Sequence, residues 1–221
     1  MSARHPARIV AVLGASGSGK SAAIRQHLHV TRPRRLLVWD PLGEYADHGD
    51  VCRSLRETLE RVRTRGGRVR SRLAVIFQPP PERRAWPQAF STFCRLALAV
   101  GECTLVVEEL ALVTQPHRAP EGWSAACLTG RHRGLEIIAA SQRPASVDKD
   151  FFSNATRVRT GRLNYAEDVR TVAQVLDVSP DEIRALRPLE WIERDMHSGE
   201  IRRGRMTFSP GGARPRRRRR A

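Results

Sequence analysis

Apolar positions fall into two kinds of run that alternate along the chain. Short blocks recur at Ile9–Leu13, Arg35–Trp39, Leu73–Phe77, Thr104–Val107 and Leu135–Ala140. They are too short for helices and apolar almost throughout, so they read as strands buried on both faces. Between them, apolar residues recur three or four positions apart. Ala22–His29 reads as a helix after the first strand. Val51, Leu55, Leu59 and Val62 form the apolar face of another, ending near Gly66. Trp86, Phe90, Phe93, Ala97 and Val100 form the face of a third. Strands alternating with helices predict an α/β domain with a mostly parallel sheet flanked by helices on both faces.

Past the fifth block the pattern continues with a strand at Thr156–Leu163 and a helix at Ala166–Leu176. Ser179–Glu182 (SPDE) is a capping box that opens a short helix. Glu190–Arg194 and Ile201–Phe208, around a turn at Ser198 and Gly199, predict a closing hairpin. Residues 1–208 therefore read as one domain. Ser209–Ala221 is Pro, Gly and Arg with little to bury, and reads as a disordered tail. No internal repeat is found.

Between the first strand and first helix lies GASGSGKS, with the spacing G-x-x-x-x-G-K-[ST] of a phosphate-binding P-loop. Gly14, Ala15, Ser16, Gly17, Ser18 and Gly19 supply converging backbone N–H groups, and the helix N-terminus adds its positive dipole end. Lys20 reaches the outer phosphates, and the Ser21 hydroxyl is the expected magnesium ligand. ATP and Mg2+ are the expected cofactors.

The fourth strand ends in Glu108 and Glu109, at the edge of an open sheet where ligands sit. Glu108 is assigned to the metal, and Glu109 to orienting or deprotonating the attacking water. The fifth strand ends at the same edge in ASQRP, so Gln142 can sense the γ-phosphate or that water.

Charge narrows the partner. The formal net charge is +16, and all basic residues except Lys20 and Lys149 are Arg. Residues 201–221 hold nine Arg and no acid, which points to an anionic polymer, nucleic acid first. Cys52, Cys94, Cys103 and Cys127 lack the spacing of a metal site or disulfide framework, so buried thiols are expected. No signal peptide and no apolar run of about 18 residues is present, which predicts a cytoplasmic chain without a membrane span.

Gly130–Asp148 (GRHRGLEIIAASQRPASVD) closely resembles the segment of the FtsK–HerA translocases in which an Arg precedes a strand ending in [ST]-Q-R-P. Asn154, Arg162 and Asp168 continue the pattern. Val38–Tyr45 (VWDPLGEY) is similar to the acidic segment after the second strand in HerA-like and phage morphogenesis ATPases. The resemblance implies a RecA-like fold of the additional-strand catalytic glutamate class. It also implies a homo-oligomeric ring, usually a hexamer, and ATP-driven movement of double-stranded DNA. Gln142 would be the sensor, and Arg131 the arginine finger inserted into a neighbour's site, with Arg133 the alternative. Where the family usually has Asp, this chain has Glu108, which leaves open how Glu108 and Glu109 divide their work.

A bare motor of this length looks like the genome-packaging ATPases of tailless, internal-membrane viruses. That implies action in the host cytoplasm or at the virion, with capsid vertex proteins as further partners. Alternatives are a filamentous-phage type assembly ATPase without its anchor, a small-molecule P-loop kinase, or a nucleic-acid-binding protein that merely holds nucleotide. A motor that moves any sequence contacts phosphates. Arg61–Arg72, with six Arg around a Gly-Gly break, fits a helix end followed by a strand or an Arg-lined hairpin, facing either a ring pore or solvent. Arg216–Arg220 suits counterion release on duplex DNA.

Overall fold

The computed structural model describes residues 8–66 and 72–207. Among them one sheet carries nine strands. Strand β1 (Arg8–Leu13) lies in parallel between β6 (Glu136–Ser141) and β7 (Arg157–Thr160). Beyond β6 follow β5 (Thr104–Val107), β2 (Arg35–Trp39), β4 (Leu73–Phe77) and the short edge strand β3 (Asp50–Cys52), all parallel. Beyond β7, β8 (Glu190–Asp195) and β9 (Ile201–Arg205) pair antiparallel as the expected hairpin.

The helices are α1 (Lys20–Thr31), α2 (Leu55–Gly66), α3 (Trp86–Val100), α4 (Glu121–Thr129), α5 (Lys149–Asn154), α6 (Ala166–Leu176) and α7 (Pro180–Ala185). Alternation along the strands divides the core in two. Leu37, Trp39, Val75, Phe77, Leu105 and Val107 point into a large core with α2 through α7. Val12, Val38, Ile76, Val106 and Ile138 point into a smaller one with Ile24 and Leu28 of α1. Burial on both sides is why the central strands are apolar almost throughout. The larger core is aromatic at its centre: Trp39 lies 5.1 Å from Phe90, and Phe77 stacks on Phe93 at 5.6 Å.

Several boundaries differ from the sequence reading, each for a local reason. Val51 belongs to β3, where it pairs with Ile76, and not to the helix face with Leu55, Leu59 and Val62. Ser54 stops that helix from reaching back, since its hydroxyl accepts from Glu57 N at 3.1 Å and caps the first turn. The strand expected over Thr156–Leu163 ends at Thr160, because the next residues leave the sheet to lie under the P-loop. Helix α1 extends the expected segment at both ends, and β6 is shifted by one residue. Helices α4 and α5 carry too short an apolar pattern to have been read in advance. The capping box at Ser179 is present as expected.

All four cysteines are free and buried, and burial pushes the Cys103 thiol up to about 12. Among the described residues no helix is long and apolar enough to cross a membrane. The helix expected to end near Gly66 does so, whereas residues 67–71 of the Arg61–Arg72 segment and the tail from Ser209 lie outside the described residues.

Candidate active site

The strand order brings three chain segments to one edge of the sheet. Because β1 and β5 both flank β6, the P-loop after β1 and the acids after β5 meet on either side of Gln142. The loop is held to the sheet by its backbone: Gly14 N donates to Ser141 O at 3.2 Å, and Ala15 N to Arg162 O at 2.8 Å. Gly14 has φ 145°, and a Cβ there would overlap the Ser18 side chain, so the tight turn requires glycine. Gly161 answers it from below, since a Cβ at that position would lie 2.8 Å from Ser18 Cβ.

Lys20 and Ser21 open α1. Lys20 is only 8% exposed, and its ammonium folds back to donate to Ala15 O at 3.2 Å. Burial holds the amine below its usual range, opposed by the charges of Glu109, Glu108 and Glu44. The Ser21 hydroxyl donates to Glu108 Oε1 at 2.7 Å. Glu108 is 1% exposed, and burial pushes its carboxyl up to about 7, against the lowering effect of the Ser21 hydrogen bond. Its other oxygen, Oε2, has no hydrogen-bond partner among the described residues.

Glu109 turns away from its neighbour through a left-handed backbone step, φ 53°. Its Oε1 accepts from Gln142 Nε2 at 2.6 Å, and its Oε2 from Gln142 N at 3.3 Å. The sequence reading brought Glu108, Glu109 and Gln142 to one edge. The structure adds that the two acids are held separately, Glu108 by Ser21 and Glu109 by Gln142.

Magnesium fits this donor set. The Ser21 hydroxyl and an unpaired carboxylate oxygen of Glu108 are hard ligands side by side. Among the described residues no cluster of three His, Cys, Asp or Glu forms a metal cage, so an ion here depends on these groups and on nucleotide phosphates.

Two supports of the site were not assigned roles from sequence. Asp168 on α6 is fully buried, and accepts from Arg143 Nε at 2.9 Å and from Ala145 N at 2.9 Å. It thereby clamps the turn that follows Gln142, while the Arg143 guanidinium lies 4.3 Å from the Tyr165 ring centre. The second support is the β8–β9 hairpin. Leu189 and Met206 close over the P-loop, each with an atom 3.2 Å from where a Gly19 Cβ would sit. The hairpin has no local motif, whereas Asp168 stood out in the sequence as a position that continues the family resemblance, without a role attached.

Arg131 is not part of this cluster. It lies in the 3-10 turn Gly130–Arg133 that enters β6, at the edge opposite the P-loop, and it is exposed. Arg133 donates to Leu98 O at 3.2 Å on the same side. Neither reaches the nucleotide edge of its own chain.

No family model matches the chain. It is 33% identical over 179 residues to protein P9 of Pseudoalteromonas phage PM2, covering 79% of this chain and 78% of that protein. Among solved structures, it is similar to the genome-packaging NTPase B204 of Sulfolobus turreted icosahedral virus 2 bound to AMPPCP. That match has a TM-score of 0.69 at 17% identity and covers 93% of this chain and 100% of that one. It also resembles VirB4 of Thermoanaerobacter pseudethanolicus, with a TM-score of 0.64 at 12% identity over 91% of this chain and 90% of that one.

Proposed function

From the premise that the chain belongs to the FtsK–HerA P-loop ATPases, in the family of phage PM2 protein P9, we propose that it is the ATP-hydrolysing motor that drives double-stranded DNA into a viral capsid. The observation that carries this reading is the pairing of Ser21 with Glu108 and of Gln142 with Glu109 at one sheet edge. A nucleotide kinase needs the first pair but has no use for the second. The packaging NTPase B204, similar in fold along its whole length, supports the choice of machine.

On this reading the backbone N–H groups from Ala15 to Lys20 hold the phosphates, and Lys20 exchanges its bond to Ala15 O for a phosphate oxygen. A bound magnesium ion would neutralise phosphate charge, with Ser21 and Glu108 as its protein ligands. Glu109 accepts the proton of the attacking water, and Gln142 fixes the carboxylate that does so. Arg131 stabilises the transition state in the site of a neighbour within a homo-oligomeric ring. Sequence-independent grip on DNA falls to arginines contacting phosphates.

Steady-state phosphate release with Mg2+ and ATP tests the reading. Wild-type protein is expected to hydrolyse ATP faster with linear duplex DNA. Lys20→Ala should lose nucleotide binding, whereas Glu109→Gln should keep binding and lose at least about 100-fold in rate, the scale of general-base catalysis. Absence of wild-type turnover with and without DNA would overturn it.

A further inference from the structure

The acidic segment after β2, Asp40–Tyr45, has no part in the reaction above. Asp40 is fully buried and accepts from Glu44 N at 2.9 Å and from Tyr45 N at 3.0 Å, folding the chain back over the end of β2. Glu108 N donates to Trp39 O at 3.0 Å, so this fold lies beside Glu108. Arg25 of α1 donates to Glu44 O at 3.2 Å and ties the segment to the P-loop helix. Tyr45 thereby enters the smaller core, packed among Ile24 of α1 and Val38 and Val106 of the sheet. Ile24 sits one turn beyond Lys20 and Ser21, and Val106 is two residues before Glu108, on the side of the strand that faces α1.

The ring has an apolar bed, but its hydroxyl lacks a hydrogen-bond partner among the described residues, in a residue that is 0% exposed. Glu108 spends Oε1 on Ser21 and leaves Oε2 equally unpaired. Buried polar atoms are rarely left so, because each forfeits its hydration without replacement. Phenylalanine would fill the same bed without stranding a polar atom. Burial keeps the hydroxyl protonated far above its ordinary range, and the strongest charge acting on it is that of Glu108.

We propose that Tyr45 is a positioning residue of the hydrolytic site, its hydroxyl donating through one ordered water to Glu108 Oε2. Glu108 is then held on both oxygens, by the P-loop helix on one side and by the segment after β2 on the other. The inference rests on the assignment of Glu108 to the nucleotide and metal site.

Tyr45→Phe in the full chain tests it, with Mn2+ binding followed by electron paramagnetic resonance in the presence of AMPPCP. The expected result is Mn2+ affinity about tenfold weaker, the loss typical of a group that orients a metal ligand. Turnover should fall with KM for ATP unchanged, and the melting temperature should be equal or higher. Unchanged Mn2+ affinity would overturn the proposal, whether or not the melting temperature falls. The Mn2+ titration decides the matter even if wild-type protein proves not to hydrolyse ATP, a failure that would count against the proposed function instead.

Discussion

Glu108 and Glu109 differ by a single left-handed backbone step, and that step separates their environments. Glu108 is buried against the P-loop serine, while Glu109 swings to Gln142. A non-glycine residue with φ 53° is strained by about 1 kcal/mol, a cost that the two bonds from Gln142 offset. Burial also makes Glu108 a pH-dependent liability to the empty protein. Its carboxyl stands at about 7 in the fold against 4.5 for the ordinary group. Below the ordinary value both states are protonated and the group costs nothing; stability is lost as pH rises through about 7. Without nucleotide or metal, Glu108→Gln should therefore melt several degrees above wild type at pH 8, a gain on the order of 3 kcal/mol at most. The difference should vanish toward pH 4.5, the ordinary value of the group. Equal melting temperatures at pH 8 would refute the burial argument.

Elements place these residues, and they were legible to different degrees. The five central strands announced themselves because burial on both faces made them continuous apolar blocks. The P-loop did so through glycines that its turn demands. Strand β3 did not, since its three residues sit at an edge and Val51 happens to keep helical spacing with Leu55. The site edge followed from strand ends alone, but its supports did not. Gly161 and Met206 act across large sequence separations that no local pattern encodes, and Asp168 stood out only as a position that continues the family resemblance. Asp168 shows what such a support does, for it fixes both Arg143 and the Ala145 amide just beyond Gln142. Asp168→Asn is expected to lower kcat about tenfold with KM for ATP little changed, because the P-loop itself is untouched. It should also lose about 1–3 kcal/mol of stability, the cost of weakening buried charge-assisted bonds. A rise in KM at constant kcat, measured by steady-state kinetics, would show that the clamp serves nucleotide binding and not the sensor.

At the scale of the whole molecule, strand β6 links the two ends of the proposed mechanism. Gln142 leaves its C-terminal end at the nucleotide edge, and Arg131 precedes it at the opposite edge. On the proposed reading, an arginine finger at that position can serve only another subunit's site, so ring assembly and hydrolysis would become one event. The charge of +16 suits the DNA partner proposed for that ring, through phosphate contacts whose strength would fall with salt. The most direct measurement is displacement of a triplex-forming third strand from linear duplex DNA. Wild-type protein with Mg2+ and ATP should strip the third strand, while AMPPCP, Lys20→Ala and Arg131→Ala should each leave it bound. A third strand that stays in place while ATP is hydrolysed at the same rate with and without DNA would contradict the account.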